Sequence, residues 1–207
     1  MRLIGIDFSV IKPAITIKEN DIYKFYVFPL SLSKKHESML LDSDVIVCNR
    51  EDNTIKKSEN STTSTENMKY HITMARNLSQ LISNTIQFTE SDIIASEGFS
   101  YASSGDAVLN LAGYKYILLN TLLNNHIKLE NIYTFAPISI KSFAGCGKKG
   151  TKKIDMINSF IENGVDCKFK ENCKNNYLKS KINFIHCVDD IVDSYFTVKL
   201  LEKTLNV

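Results

Sequence analysis

Four acidic residues of the chain are candidates for a catalytic or cation-binding site. Asp7 lies inside an apolar run near the N-terminus, and Glu97 ends a second apolar run. Asp190 and Asp193 are three residues apart near the C-terminus, a spacing that puts both side chains on one face of a helix. A carboxylate in an apolar segment costs free energy unless it is paired or binds a cation. The acids therefore indicate a cation site.

Carboxylates gathered at one place repel each other and raise each other's pKa unless a hard cation neutralises them. Oxygen ligands alone suit Mg²⁺ or Mn²⁺, and two such ions about 3.5–4 Å apart support in-line attack of water on a phosphodiester. Purely structural roles for these acids stay open at this point. Glu97 fits a solvated strand end, and the helical pair fits a face turned to water. Asp189 and Asp193 are one turn apart, so spacing alone leaves it open whether Asp189 or Asp190 is the ligand, and Asp189 also suits a helix N-terminus.

A second constellation, residues 136–156, combines five lysines with three glycines. The glycines allow the backbone to approach a phosphate chain closely, and the lysines supply positive charge. A nucleotide-binding P-loop is disfavoured, because Gly150 is followed by Thr151 and then Lys152, the reverse of the required order. A solvated lysine loop is the remaining alternative. The lysines are Lys141, Lys148, Lys149, Lys152 and Lys153.

Alternating and helical apolar patterns predict an α/β domain with a mixed sheet flanked by helices. Three strands open the chain, and helices and strands alternate after them. Residues 49–67 contain one aliphatic residue and predict a mobile polar loop. The predicted strands are 2–8, 13–18, 21–28, 92–97 and 131–135, with 44–48 as a further strand or edge and an uncertain strand at 182–185. The predicted helices are 66–88, 105–125, 151–163 and 188–204, with another beginning at Pro137.

Composition narrows the classes of function. The 207 residues suit one domain, and a net charge of +2 requires any nucleic-acid surface to be locally basic. The chain has no apolar run long enough for a membrane helix, and Asp7 interrupts the region where a signal peptide would be apolar. We therefore expect a cytoplasmic protein that is not secreted. The five cysteines predict free thiols, since a zinc site from Cys167, Cys173 and Cys187 would match no common zinc module.

The order of four motifs resembles RuvC-type Holliday junction resolvases of the RNase H-like superfamily, most closely the divergent versions carried by bacteriophages. The motifs are Ile4-Gly-Ile-Asp7, the segment from Ser96-Glu97 to Gly113, the segment from Phe135-Ala-Pro to Lys153, and Asp190-Ile-Val-Asp193-Ser194. The resemblance implies an RNase H-like fold with a mixed five-stranded sheet. It also implies a single nuclease domain over residues 1–207, with an insertion at about 30–67.

The resemblance also implies roles for individual residues. Two Mg²⁺ ions, for which Mn²⁺ can substitute, would be held by Asp7, Glu97, Asp190 and Asp193. Lys153 would neutralise charge in the transition state, with Lys152 as the close alternative. The family carries an aromatic wedge at the position aligned with Ser100. The residues expected to contact DNA are Lys141, Lys148, Lys149, Lys152, Phe99, Ser100 and Tyr101.

The implied function is a structure-selective, metal-dependent endonuclease that resolves Holliday junctions or other branched DNA. Such resolvases act as symmetric dimers, here expected to pair through Leu111, Tyr114 and Leu118 of helix 105–125. The alternatives are a nuclease for RNA–DNA hybrids or flaps, and a non-catalytic factor that binds branched DNA. An actin-like ATPase also opens with such a strand, but it needs a far longer chain. Retention of all four acids favours catalysis, since binding phosphate needs no carboxylates.

Overall fold

A computed structural model describes residues 1–50, 64–99, 106–148, 150–177 and 187–207. Within these residues a six-stranded sheet carries helices on both faces. The strands are β1 (Arg2–Asp7), β2 (Ala14–Glu19), β3 (Ile22–Val27), β4 (Val45–Val47), β5 (Ile93–Glu97) and β6 (Ile132–Phe135). The helices are α1 (Lys34–Leu41), α2 (Ser64–Ile86), α3 (Asp106–Asn124), α4 (Pro137–Phe143), α5 (Lys153–Asn163), α6 (Lys168–Asn172) and α7 (Val188–Leu205).

The strand order across the sheet is β4-β3-β2-β1-β5-β6. Strands β1 to β3 form an antiparallel meander, whereas β5 and β6 run parallel to β1 and β4 runs parallel to β3. The predicted mixed α/β sheet flanked by helices is confirmed. The resemblance implied five strands, whereas the sheet has six. The sixth, β4, is a three-residue edge strand within the segment 44–48 that the sequence predicted as a further strand or edge. The uncertain strand at 182–185 lies outside the described residues.

Side chains of β1 alternate between two cores, as the pleat of a strand requires. Ile4 and Ile6 pack in the larger cluster with α2 and α3. Leu3 packs on the opposite face with Val198 of α7. Asp7 follows the Leu3 side of the alternation, so the pleat directs this carboxylate toward α7 and away from the main apolar core.

Helix α7 lies unusually close to β1. A Cβ added to Gly5 would lie 2.7 Å from Val198 Cγ2 and 2.8 Å from Val198 N, and closer still to the carbonyl oxygen of Ser194. A buried hydrogen bond of 2.7 Å links the hydroxyls of Thr16 and Ser194. Ser194 Oγ donates its proton to Ile191 O at 2.8 Å, so Thr16 is the donor. Together these contacts fix the distance of α7 from the sheet.

The structure describes the residues at both ends of the predicted polar loop at 49–67. Arg50 is buried, and its guanidinium donates to Val10 O at 2.6 Å. Helix α2 already begins at Ser64. Residues 51–63 lie outside the described part of the chain. None of the described helices is both long enough and apolar enough to cross a membrane.

The dimer interface was predicted to use residues of helix 105–125 that the structure places in the core. Tyr114 and Leu118 of α3 are each 2% exposed and pack in the core with α2, and Leu111 is partly buried against the same cluster. Tyr116 is 64% exposed and Leu109 is 71% exposed. Because α3 is apolar on nearly every side, its sequence pattern does not identify the buried face.

The close approach at Gly5 predicts a large effect of one methyl group. We expect Gly5→Ala to lower the free energy of unfolding by about 1–3 kcal/mol, because β1 and α7 must separate to admit it. Gly113→Ala is the matched control, since a Cβ there meets nothing within 4 Å. The control is expected to be neutral or to stabilise α3 by about 0.5–1 kcal/mol. Urea unfolding of both variants is the measurement, and equal stabilities would contradict the packing described.

Candidate functional site

The candidate site lies at the carboxyl ends of β1 and β5. These strands are parallel neighbours with Ile6 opposite Ser96, so Asp7 and Glu97 end side by side. Both residues fall on the face of the sheet that α7 covers. Asp190 and Asp193 come from the first turns of α7, which packs on β1 and β2. The structure therefore brings together the four acids that the sequence singled out.

Burial and mutual repulsion change the proton affinity of these acids. Burial, helped by the charges of the other acids, raises the pKa of Asp7 well above its usual range, and Asp190 contributes most among those charges. Burial and the nearby Glu97 carboxylate raise the pKa of Asp193 to about 7. Burial also raises the pKa of Glu97 and of Asp190. The cluster therefore binds protons near neutral pH when no other cation balances it.

Asp7 and Glu97 also act on each other. A side-chain hydrogen bond with Asp7 lowers the pKa of Glu97, against the effect of burial. A divalent cation suits such a site, because it neutralises carboxylate oxygens packed at one place.

Two lysines balance the remaining negative charge. Lys12, in the loop between β1 and β2, lies 2.7 Å from Asp190 Oδ2 and 3.3 Å from Asp189 Oδ1. Lys153, at the start of α5, pairs with the other oxygen of Asp189. Burial opposes ionisation of Asp189, but these lysines outweigh it and hold its pKa below the usual range. Asp189 thus pairs with both lysines, whereas Asp190 pairs with Lys12 and is the acid whose charge acts most strongly on Asp7.

The predicted DNA-contacting lysines divide into two groups. The Lys141 ammonium acts on both Glu97 and Asp193 and lowers the pKa of each. Lys148 and Lys152 are exposed in the segment that joins α4 to α5. The Lys152 N–H donates to Asp155 Oδ2 at 2.7 Å, which caps α5 and sets the position of Lys153 next to it.

The predicted aromatic contact is only partly described. Phe99 lies two residues after β5, and its ring is 6.4 Å from that of Tyr116. The other predicted contacts, Ser100, Tyr101 and Lys149, lie outside the described residues.

Sequence reasoning missed two lysines of the site, Lys12 and Lys115. Lys12 lies in the loop that follows the strand of Asp7, and proximity to that strand is its only sequence signal. Lys115 is more conspicuous: it and Asp106 are the only charged residues of α3. Burial lowers the pKa of Lys115, although the nearby Glu97 charge partly opposes this. A lone charge in an otherwise apolar helix was the available clue.

The cysteines behave as predicted. All five are free thiols, and Cys173 and Cys187 are buried. Burial raises the pKa of Cys187 to about 12, so this thiol stays protonated. Across the described ranges, no three His, Cys, Asp or Glu side chains are already arranged as metal ligands. Of the four acids, Asp190 pairs with the Lys12 ammonium. Their all-oxygen donor set nevertheless fits a hard divalent cation.

Comparison with known proteins identifies the fold. No protein-family model matches the chain, and no curated protein matches it. Among solved structures, Thermus thermophilus RuvC superposes with a TM-score of 0.50 at 9% identity, covering 100% of this chain and 97% of that chain. The yeast mitochondrial Holliday junction resolvase Ydc2 superposes with a TM-score of 0.50 at 12% identity, covering 95% and 75%. The protein has the RuvC-like fold, which confirms the predicted resemblance at the level of the fold.

The raised pKa of Asp193 predicts a pH-dependent stability. The folded value of about 7 exceeds the ordinary 3.8, so the protonated side chain stabilises the fold in acid, and this contribution is lost as the pH rises toward 7. In chelator, Asp193→Asn should gain about 1–3 kcal/mol relative to the unsubstituted protein between pH 5 and pH 8. Chemical denaturation across this range is the measurement. Parallel stability curves would show that the acids do not repel each other as described.

Proposed function

We propose that this protein is a metal-dependent endonuclease that cleaves four-way junctions or other branched DNA. The observation that carries the proposal is the convergence of Asp7, Glu97, Asp190 and Asp193 from three separate elements on one buried site. The RuvC-like fold adds support, since the yeast mitochondrial neighbour is a Holliday junction resolvase. Four partly or fully buried acids at such an edge have no evident role in stability, because their repulsion opposes folding.

Asp7, Glu97, Asp190 and Asp193 would hold two Mg²⁺ ions, for which Mn²⁺ can substitute. The ions would supply the activation of a water molecule and stabilisation of the leaving 3′ oxygen. In the net reaction the water oxygen forms a bond to phosphorus and the bond from phosphorus to the 3′ oxygen breaks. The products are a 5′ phosphate and a 3′ hydroxyl.

Lys153 would neutralise the charge that develops on the scissile phosphate. Its side chain is 62% exposed, which leaves the ammonium accessible to DNA, while Asp189 holds it beside the acids. Asp189 outweighs the effect of burial and raises the pKa of Lys153, so the group keeps its proton throughout the working pH range. These contacts favour Lys153 over its neighbour Lys152 as the catalytic lysine.

The surrounding segments would bind the DNA backbone and the exchange point. Lys141 lies beside the acids and would contact the strand that is cut. Exposed lysines in the segment between α4 and α5 would hold neighbouring phosphates, which orients the duplex without reading its sequence. The residues in this proposal are Lys141, Lys148, Lys149, Lys152, Phe99, Ser100 and Tyr101.

A symmetric homodimer would bring two such sites to the two strands that must be cut. With Tyr114 and Leu118 buried in the core, the pairing surface would be the exposed apolar face of α2 and α3. Its exposed members are Met68, Ile72, Leu109, Tyr116 and Leu123.

Substitution of Asp7 tests the catalytic proposal. We expect Asp7→Asn to abolish Mg²⁺-dependent cleavage of a labelled four-way junction while junction binding stays intact or tightens, because a negative charge is removed beside the phosphates. Asp21→Asn, at an exposed turn, is the control and should cleave normally. A flap, a duplex and an RNA–DNA hybrid are run beside the junction with Mg²⁺ or Mn²⁺. Unchanged cleavage by Asp7→Asn would refute the assignment, and selective cleavage of the hybrid would identify a different nuclease.

Substitution of Lys153 separates chemistry from binding. Loss of a group that stabilises transition-state charge costs about 100-fold or more in rate. We therefore expect Lys153→Ala to slow single-turnover cleavage by about that factor while the Kd for the junction changes by less than about threefold. Lys148→Ala is the comparison and should weaken binding and reduce its salt dependence instead. Equal losses of rate and binding in Lys153→Ala would make Lys153 a backbone contact only.

A further inference from the structure

Lys115 is a buried lysine that the proposed chemistry does not use. It lies midway along α3 and is 5% exposed, although lysines are almost never fully buried without a partner. Its neighbours on α3 are apolar or small, so the helix itself offers the ammonium no compensation. The free energy cost of burying this charge must be offset by contacts outside α3.

Those contacts are made with Glu97, the last residue of β5, and with Phe99, two residues further along the chain. Lys115 Nζ donates a hydrogen bond of 2.5 Å to the carbonyl oxygen of Glu97. The same ammonium lies 5.0 Å from the centroid of the Phe99 ring, within the range of a cation–π interaction. One charged group thus binds the backbone before Gly98 and the side chain after it.

The opposite side of the same segment is fixed by β6. Gly98 N–H donates to Phe135 O at 2.7 Å, and a Cβ at Gly98 would lie 3.2 Å from Thr134 Cγ2. The peptide that follows Glu97 is therefore held from β6 by one hydrogen bond and from α3 by Lys115. The position of a side chain depends on the position of its own backbone. Both contacts therefore determine the direction of the Glu97 carboxylate.

Lys115 is too enclosed to act on DNA directly. It lines a cavity of about 310 Å³ together with Glu97, Phe99 and Lys141. Lys141, on α4, is more accessible than Lys115 and already acts on the charges of Glu97 and Asp193. The contacts of Lys115 are a carbonyl oxygen and a ring, which are groups to be positioned rather than reacting groups.

We propose that Lys115 is a positioning residue: its ammonium fixes the end of β5 and the Phe99 ring, so that the Glu97 carboxylate stays directed at Asp7 and Asp193. The inference rests on the proposed function, in which Glu97 is a cation ligand. Groups that orient a metal ligand in this way typically contribute 10–100-fold to metal affinity or activity.

The test compares Lys115→Met, which keeps the bulk and removes the charge, with Lys115→Arg, which keeps a donor and the charge. Lys128→Met is the control, because Lys128 is exposed and precedes the start of β6, whereas Glu97 lies at the end of the parallel strand β5. Each variant is titrated with Mn²⁺ alone by calorimetry, assayed for single-turnover cleavage of a four-way junction, and melted.

We expect Lys115→Met to bind Mn²⁺ about tenfold more weakly and to cleave about 10–100-fold more slowly, with the Kd for the junction within about twofold and no fall in Tm. Lys115→Arg should recover most of both losses, and Lys128→Met should match the unsubstituted protein. Wild-type Mn²⁺ affinity and rate in Lys115→Met would overturn the inference. A fall in Tm shared by Lys115→Met and Lys115→Arg would also overturn it, because the role would then be structural.

The proposed function and this inference can fail separately. If the unsubstituted protein cleaves no branched DNA but binds Mn²⁺, the proposed function is wrong, and the Mn²⁺ affinities of the Lys115 variants still decide the positioning role. If the unsubstituted protein binds no Mn²⁺, Glu97 is not a cation ligand and the inference falls with it.

Discussion

Repulsion among buried carboxylates is the constraint on which this structure depends. Asp7, Glu97, Asp190 and Asp193 are brought together in a partly buried site, where the charges of neighbouring acids disfavour ionisation. Lysine ammonium groups at the margin of the site offset part of this cost. Such an arrangement is poised to exchange protons for divalent cations, since cation binding to acids releases protons. The crowding of acids that favours cation binding therefore destabilises the cation-free fold, and a bound cation would stabilise it.

The rest of the molecule holds the acids together in spite of their repulsion. The parallel pairing of β1 and β5 aligns two of them, and the pleat turns both toward α7. Gly5 allows α7 to approach the sheet, and the Thr16–Ser194 hydrogen bond fixes its position. On the other face, α2 and α3 bury the main apolar cluster and carry Lys115 to the end of β5. Each layer thus contributes to the site as well as to the core.

Much of this arrangement was predictable from the sequence, because an acid in an apolar strand is a strong local signal. Asp7 and Glu97 were found in that way, and their adjacency followed from the fold that the motifs resemble. The spacing of the C-terminal acids left Asp189 and Asp190 as alternatives. Lys12 lies near both acids, and the ion pair of Lys153 with Asp189 distinguishes them. These pairs join residues far apart in the chain.

The predictions from sequence were least accurate where the pattern of apolar and polar residues carries little information. Helix α3 is apolar on almost every side, so its periodicity did not distinguish the buried Tyr114 from the exposed Tyr116. The segment 44–48 was predicted as a strand or an edge without a decision between them, because the three residues of β4 are too few for an alternating pattern. The partners of Lys115, Glu97 and Phe99, lie on the strand end next to α3, and tertiary packing alone brings them to it.

The most direct test of the central claim is the anomalous scattering of Mn²⁺ in crystals of the unsubstituted protein. The account predicts a strong anomalous peak enclosed by carboxylate oxygens of Asp7, Glu97, Asp190 and Asp193, with Lys12 displaced from Asp190. Saturating Mn²⁺ that leaves no peak among these four side chains, with Lys12 still paired to Asp190, would contradict it.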